Sequence, residues 1–356
     1  MPVLSNTNPG GLELSPAVVW FVPVERMRDG VSIVLEQSGF FSLTRPKKKV
    51  GIKVHFGEVG NNNYLDPEFV RAAAITAVCH DLQPVLIETT SLYRGRRQRA
   101  SEHIKLAHEH GFTLQKVLAP VEILDGEYGE KFYRTNTDSP LTPKAYLAGK
   151  LRHIRYIINL AHFKGHFVTG FGGTIKSLAM GLAAKAGKLA MHSSTHPHVD
   201  EERCASCGNC VDYCPHQAIS FVQYVAHIGR ACTGCGGCIA VCPHSAIRVS
   251  WDAASESVQR KMADYCRAIL TNRVAIHFNF LRRVTPNCDC YPQTEQPLIP
   301  DIGLFASFDP VACDQAAYDR VRPVLKELYP HLDPEIVLEQ GAAIGLGTRQ
   351  YQLIPI

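Results

Sequence analysis

Eight cysteines fall into two runs of one spacing, and no other stretch restricts the chain as sharply. The first run reads Cys204-x-x-Cys207-x-x-Cys210-x-x-x-Cys214-Pro215, and the second Cys232-x-x-Cys235-x-x-Cys238-x-x-x-Cys242-Pro243. Equivalent positions lie 28 residues apart (232 − 204), which marks an internal duplication. Thiolates at this spacing suit a cubane iron–sulfur cluster, since three close cysteines wrap one face and a distant fourth completes the set. A structural zinc site or disulfides is the plainer alternative, and the duplicated pattern argues against it.

The rest of the composition is that of an ordinary globular protein. The 356 residues suffice for one large domain and a small one. A net charge of +4 is too small to argue for nucleic acid. The basic runs Arg45 to Lys49 and Arg94 to Arg99 are short and read as solvated surface. Cluster thiolates need a reducing compartment, so Cys79, Cys266, Cys288, Cys290 and Cys313 are expected as thiols, and the cytoplasm is favoured. No signal peptide is visible from Met1 to Leu14, and no apolar stretch reaches the length of a membrane span. No nucleic-acid and no membrane partner is expected.

Strands and helices alternate on both sides of the cysteines. Residues 1–16 read as a loose arm. Ala17 to Val24, Lys48 to Phe56, Pro84 to Thr89, Ile154 to Phe163, Arg273 to Val284 and Ile302 to Ser307 read as strands, with a last one near Gln350 to Pro355. Leu114 to Leu124 looks extended. Helices are expected over Met27 to Gln37, from Asp66-Pro67 to about Leu82, Arg99 to His110, Thr142 to Lys150, Thr174 to Gly187 and Ser257 to Thr271. Another runs from Asp309-Pro310 to Val321, with two more after it. This pattern argues for an α/β domain with a mostly parallel, doubly wound sheet. It is interrupted by a small α+β unit that carries the cysteines. The expected boundaries are 17–196 and 252–356 for the α/β domain and 197–251 for the insert.

Several further constellations carry chemistry. Lys53, His55 and Glu58 surround the end of one strand, and His162, Lys164 and His166 the end of another. Ligands of open α/β sheets bind beyond the carboxyl ends of strands, so two Lys-x-His pairs there suit an anionic substrate; solvated surface is the bland reading. Cys288-Asp289-Cys290 places two thiols on one side of an extended chain, with the carboxylate between them pointing away. That pair can chelate a soft metal, cycle as a redox dithiol, or simply be buried. Gly170-Phe171-Gly172-Gly173-Thr174 opens a helix with Lys176 in its first turn. Gly172, Gly173, Thr174 and Lys176 are therefore candidates for contacting a phosphate or carboxylate, a plain tight turn being the alternative. His192, His196 and His198 precede the cysteines without a regular element to hold them on a metal, and His192 is a candidate proton donor.

Two resemblances add to this reading. The cysteine-bearing unit resembles bacterial two-cluster ferredoxins. That likeness implies that Cys204, Cys207, Cys210 and Cys242 hold one 4Fe-4S cluster, and Cys232, Cys235, Cys238 and Cys214 the other. The blocks KVHFGE from Lys53, SLYRGRR from Ser91, HFKGH from His162, GFGGTIKSLAMG from Gly170, NCDCYP from Asn287 and DPVACDQAAYD from Asp309 resemble ferredoxin-containing members of domain-of-unknown-function family 362. The resemblance implies an iron–sulfur protein common in anaerobes, and supplies no reaction. Cys313 stands where an aliphatic residue is expected, so it is not expected as a ligand.

Three functions follow as expectations. The first is a ferredoxin-dependent oxidoreductase that relays electrons through two 4Fe-4S clusters to a site in its own α/β domain, reducing an anionic small molecule or cofactor. A soluble ferredoxin or flavodoxin would be its donor, and Cys288/Cys290 a third metal or redox centre. The second is a non-catalytic electron-transfer or maturation accessory protein for a partner redox enzyme. The third has Cys288 and Cys290 handling sulfur or a metal for delivery.

Overall fold

The computed structural model describes residues 15–192, 197–214, 216–232, 234, 236–249 and 254–356. His196 and Cys235 lie outside the described residues. The centre is an eight-stranded sheet. Its strands, numbered along the chain, are β1 (Ala17–Pro23), β2 (Lys49–Lys53), β3 (Gln83–Glu88), β4 (Val121–Ile123), β5 (Tyr156–His162), β6 (Val274–Leu281), β7 (Gly303–Ser307) and β8 (Tyr351–Pro355). The spatial order is β8-β1-β7-β6-β5-β2-β3-β4. Only β7 opposes its neighbours; the others run parallel. Strands from either side of the cysteine segment pair directly, with β6 against β5 in the register Ile276↔Ile158.

Helices cover both faces, which is why the central strands are apolar at almost every position rather than alternating. Val50, Ile52, Leu86, Ile158 and Ile276 face α1 (Met27–Gln37), α2 (Pro67–Cys79) and α3 (Ala100–Glu109). Val85, Ile87, Ile157 and Ala275 face the opposite core. That core is built from α4 (Thr174–Leu182), α5 (Lys185–His192), α6 (Ser255–Leu270), α7 (Pro310–Leu328) and α8 (Ile336–Ala343). Among the described residues no helix is long and apolar enough to cross a membrane.

The sequence expectations fail where tertiary packing overrides local pattern. Thr142 to Lys150 is not helical: Lys144–Ala148 pairs antiparallel with Phe132–Asn136 and buries Ala145 and Leu147. Leu114–Val117 is one helical turn, with the Thr113 hydroxyl accepting from the Lys116 N–H, and only then does β4 begin. The long helix from Thr174 breaks at Ala183, whose extended backbone separates α4 from α5. α7 continues past Pro323, because Leu325 beyond it is fully buried in the core. The single helix after it is α8.

The cysteine segment lies between α5 and α6 and repeats in backbone as well as sequence. Left-handed residues recur 28 positions apart, at Ser206 and Gly234, Gly208 and Gly236, and Gln217 and Ser245. The Ala218 N–H donates to the Cys214 thiol and the Ala246 N–H to the Cys242 thiol, both at 3.3 Å. His198–Val199 pairs with Ile247–Arg248, and Ile219–Val222 with Val225–Ile228. The outer strands of the two repeats thus close on each other around a small core of Cys210, Ile219, Ala226 and Ile247.

Candidate functional site

At the carboxyl ends of the parallel strands a dense group of buried charges replaces the apolar core. Lys53 ends β2 and Glu88 ends β3, and their side chains form an ion pair at 2.6 Å with 1% and 4% exposure. Gly181 in α4 makes room for it, since a Cβ there would lie 1.9 Å from the Lys53 Cε. Burial lowers the Lys53 amine, and the Glu88 charge opposes that shift.

The loop after β3 brings Arg97 beneath the loop after β2. Its guanidinium donates to Glu58 at 2.9 Å and to His55 Nε2 at 2.8 Å, and also to the Tyr93 hydroxyl. The Gly57 N–H reaches the other His55 nitrogen at 3.0 Å. A neutral imidazole has a single acceptor nitrogen, so His55 can take only one of these two donors at a time, and a second ring proton would have no acceptor. Burial first, and Arg97 second, hold His55 well below the usual histidine range. The expectation that Arg94 to Arg99 is solvated surface is corrected here: Arg97 is 4% exposed. The other arginines of the run reach outward, Arg94 to Ser245 and Arg96 to Glu109.

Asp289 closes the group from the β6 side. Its carboxylate meets His162 Nδ1 at 2.7 Å and Lys164 Nζ at 3.0 Å. His162 Nε2 donates to the Arg282 carbonyl at 2.8 Å, so this ring faces acceptors on both sides, the reverse of His55. Burial pushes the Asp289 carboxyl up, but His162 and Lys164 outweigh it and hold the carboxyl well below its usual range. Cys288 and Cys290, flanking this residue, are joined in a disulfide rather than standing as thiols. Lys164 and His166 lie in a separate short hairpin, Lys164–His166 against Gly170–Gly172, not in a continuation of β5. His166 Nδ1 accepts from the Val168 and Thr169 N–H groups, each at 3.2 Å.

The glycine-rich turn divides in two. The N–H groups of Thr174 and Ile175 are taken by the carboxylate of Asp314 at 2.6 and 3.0 Å, and a Cβ on Gly173 would lie 2.4 Å from that oxygen. The anion expected at this helix start is therefore the chain's own Asp314. Gly172 and Lys176 belong to the cationic group instead, a Cβ on Gly172 falling 3.2 Å from Lys176 Cδ and 3.8 Å from Lys164 Cε. Burial, and then Lys164, bring the Lys176 amine down to about 7.

α5 contributes the remaining cations. Lys185 donates to the Gln98 carbonyl at 3.1 Å, and Lys188 to the Thr90 carbonyl. Burial lowers Lys188 to about 8 and raises Asp125, hydrogen-bonded to Thr90 at 2.8 Å, to about 6. His192, at the end of the same helix, is brought down to about 4 by burial and by Lys176 and Lys188.

In the cysteine unit, Cys204, Cys207, Cys210 and Cys242 line a small cavity. They surround a space rather than converge on a point: among the described residues no three His, Cys, Asp or Glu side chains are arranged for a single metal ion. Of the other set, Cys214 and Cys232 stand as thiols rather than in a disulfide. Gly236, between Cys232 and Cys238, rests against Lys185 at the edge of the charged group. A Cβ on Gly236 would lie 2.9 Å from Lys185 Cγ and 3.5 Å from Leu92. Tyr128 and Tyr213, with ring centroids 4.4 Å apart, and the Arg94–Ser245 hydrogen bond at 2.6 Å pin the same junction.

The family described as Domain of unknown function (DUF362) matches residues 50–319. The chain belongs to this family. The matched stretch contains every charged residue of the group at the sheet end. No curated protein matches the chain. Among solved structures, the lactate racemase apoprotein from Thermoanaerobacterium thermosaccharolyticum is similar, with 12% identity and a TM-score of 0.43 over 86% of this chain. The match spans 57% of that protein's length, and a likeness this distant carries no argument about activity.

Sequence reasoning missed Glu88, Arg97, Asp125, Lys185 and Lys188. Glu88 and Arg97 were within reach of the strand-end rule, which applies to β3 as well as to β2 and β5. Lys185 and Lys188 carry no local signal, because their helix is placed by packing against α6 and the strand Lys144–Ala148.

Proposed function

We propose that this DUF362 member is an iron–sulfur oxidoreductase in which two 4Fe-4S clusters, held by the eight duplicated cysteines, relay electrons to the cationic sheet end, where an anionic small molecule is reduced. One observation carries the reading: the second cysteine loop, through Gly236, leans on Lys185 at the edge of that charged group. The donor set suits the clusters. Four thiols around a cavity, with backbone N–H groups donating to Cys204, Cys214, Cys232 and Cys242, are what a thiolate-bound cluster needs to spread its negative charge.

The two ends of the unit differ. Cys207 is exposed, which suits contact with a soluble donor such as a ferredoxin or flavodoxin, while the Gly236 loop faces inward. Five cations, Lys53, Arg97, Lys164, Lys185 and Lys188, and the amine of Lys176 meet four carboxylates, Glu58, Glu88, Asp125 and Asp289. The surplus favours an anion. A passive carrier has no use for it, which weighs against the accessory reading. The Cys288–Cys290 disulfide supports the redox dithiol over a metal chelate: its reduction consumes two electrons and two protons and yields two thiols.

The test is metal content and redox titration of anaerobically purified protein. About eight iron atoms per chain are expected, with cluster absorbance bleached by a low-potential donor. The Cys288→Ser/Cys290→Ser variant keeps that iron and loses one two-electron step. Iron near zero in fully reconstituted protein would refute the reading.

A further inference from the structure

Every other cation at the sheet end makes a hydrogen bond or ion pair. Lys53 is held by Glu88, Arg97 by Glu58, Lys164 by Asp289, and Lys185 and Lys188 by backbone carbonyls. Lys176 is the exception among the described residues, with no hydrogen bond or ion pair. The residue is also half-buried rather than sealed. Its position is set by the backbone, in the first turn of α4, with the bare face of Gly172 beneath it and Lys164 alongside. The charges that act on it are Lys164, Arg97 and Lys53, opposed by the carboxylate of Asp289, and its own charge bears on His166 and His192.

We propose that Lys176 is a nucleophilic amine that condenses with the carbonyl group of an anionic oxo compound, such as a 2-oxo acid, to form an imine. The field of Lys53, Lys164 and Arg97 draws in the substrate's carboxylate or phosphate, and Lys176 meets the adjacent carbonyl carbon. The step balances without a co-reactant: the amine nitrogen gains a double bond to carbon, and its two hydrogens leave with the carbonyl oxygen as water. A lysine acts this way only as the free base, and desolvation beside other cations is how proteins obtain one. With its amine at about 7 rather than 10.5, roughly a thousandfold more of Lys176 is unprotonated at neutral pH than of an exposed lysine. The inference deepens the reading of the sheet end as an anion site and does not depend on the clusters.

The experiment is reductive trapping. The full chain, purified without oxygen, is incubated at pH 7 with glyoxylate, pyruvate, 2-oxoglutarate or pyridoxal phosphate as probes, then with cyanoborohydride, and adducts are mapped by peptide mass. One adduct at Lys176, formed at least tenfold faster than at any other lysine and competed by inorganic phosphate, is the expected result. Lys176→Arg removes it while an unchanged circular dichroism spectrum shows that the fold persists. Adducts spread evenly over surface lysines, or unchanged labelling in Lys176→Arg, would overturn the proposal. Iron is measured on the same samples. Selective labelling without iron discards the electron relay alone, and scattered labelling with about eight iron atoms per chain discards the amine alone.

Discussion

Replacing Asp289 by asparagine removes one charge from the most heavily paired carboxylate of the site and changes little else in shape. The carboxylate holds His162 at 2.7 Å and Lys164 at 3.0 Å, with its own side chain 1% exposed. Two charge-assisted hydrogen bonds are each worth about 1.5–3 kcal/mol, and breaking a buried pair from one side costs about 3–5 kcal/mol. Asparagine keeps one acceptor, so a loss of about 3 kcal/mol is expected at pH 7. The pH dependence has a definite sign. The folded carboxyl lies well below its unfolded value of 3.8, so the stability it contributes is complete above that value and is lost as pH falls towards the folded one. Urea unfolding of wild type and Asp289→Asn, followed by far-ultraviolet circular dichroism, measures the difference. It should be flat from neutral pH to about pH 4.5 and shrink below pH 4. A difference under about 1 kcal/mol at pH 7, or one that grows as the solution is acidified, would refute the ion-pair argument.

Other substitutions probe the junction and the frame. Gly236→Ala places a side chain on a backbone with φ of +71° and 2.9 Å from Lys185, so about 1–2 kcal/mol of local stability is lost, read as faster amide exchange in the Cys232–Cys238 loop. Asp314→Ala leaves the first N–H groups of α4 without an acceptor inside the core and costs about 1–3 kcal/mol, while Asp314→Asn, which retains an acceptor, costs less; thermal midpoints rank the two. Arg97→Lys keeps the charge but loses the fork that binds Glu58 and His55 together, with an expected cost of about 2 kcal/mol in the same urea assay.

The buried charge group was legible in outline because strand-end geometry is a local rule. Lys53, Glu58, Lys164 and His166 follow glycine- or strand-bounded segments whose carboxyl ends can be read from pattern alone. The roles within it were not legible. Nothing in the basic run from Arg94 to Arg99 distinguishes Arg97 from its neighbours; it is buried because the loop after β3 turns it under Glu58. Asp289 was expected to point away from its flanking thiols, and only the approach of the loop after β6 to the end of β5 shows that it points at His162 and Lys164.

What the sequence by itself determined is what repeats or alternates over short range. The 28-residue duplication recurs in the backbone down to its left-handed residues, and the apolar runs buried on both faces imposed the parallel sheet. Tertiary structure alone decided whether Lys144–Ala148 became strand or helix, which anion capped α4, and which lysine of the charged group stayed without a partner. The cap joins residues 140 positions apart, Thr174 with Asp314, and the strand is fixed by burial of Ala145 and Leu147 in the common core, so local propensity encodes neither.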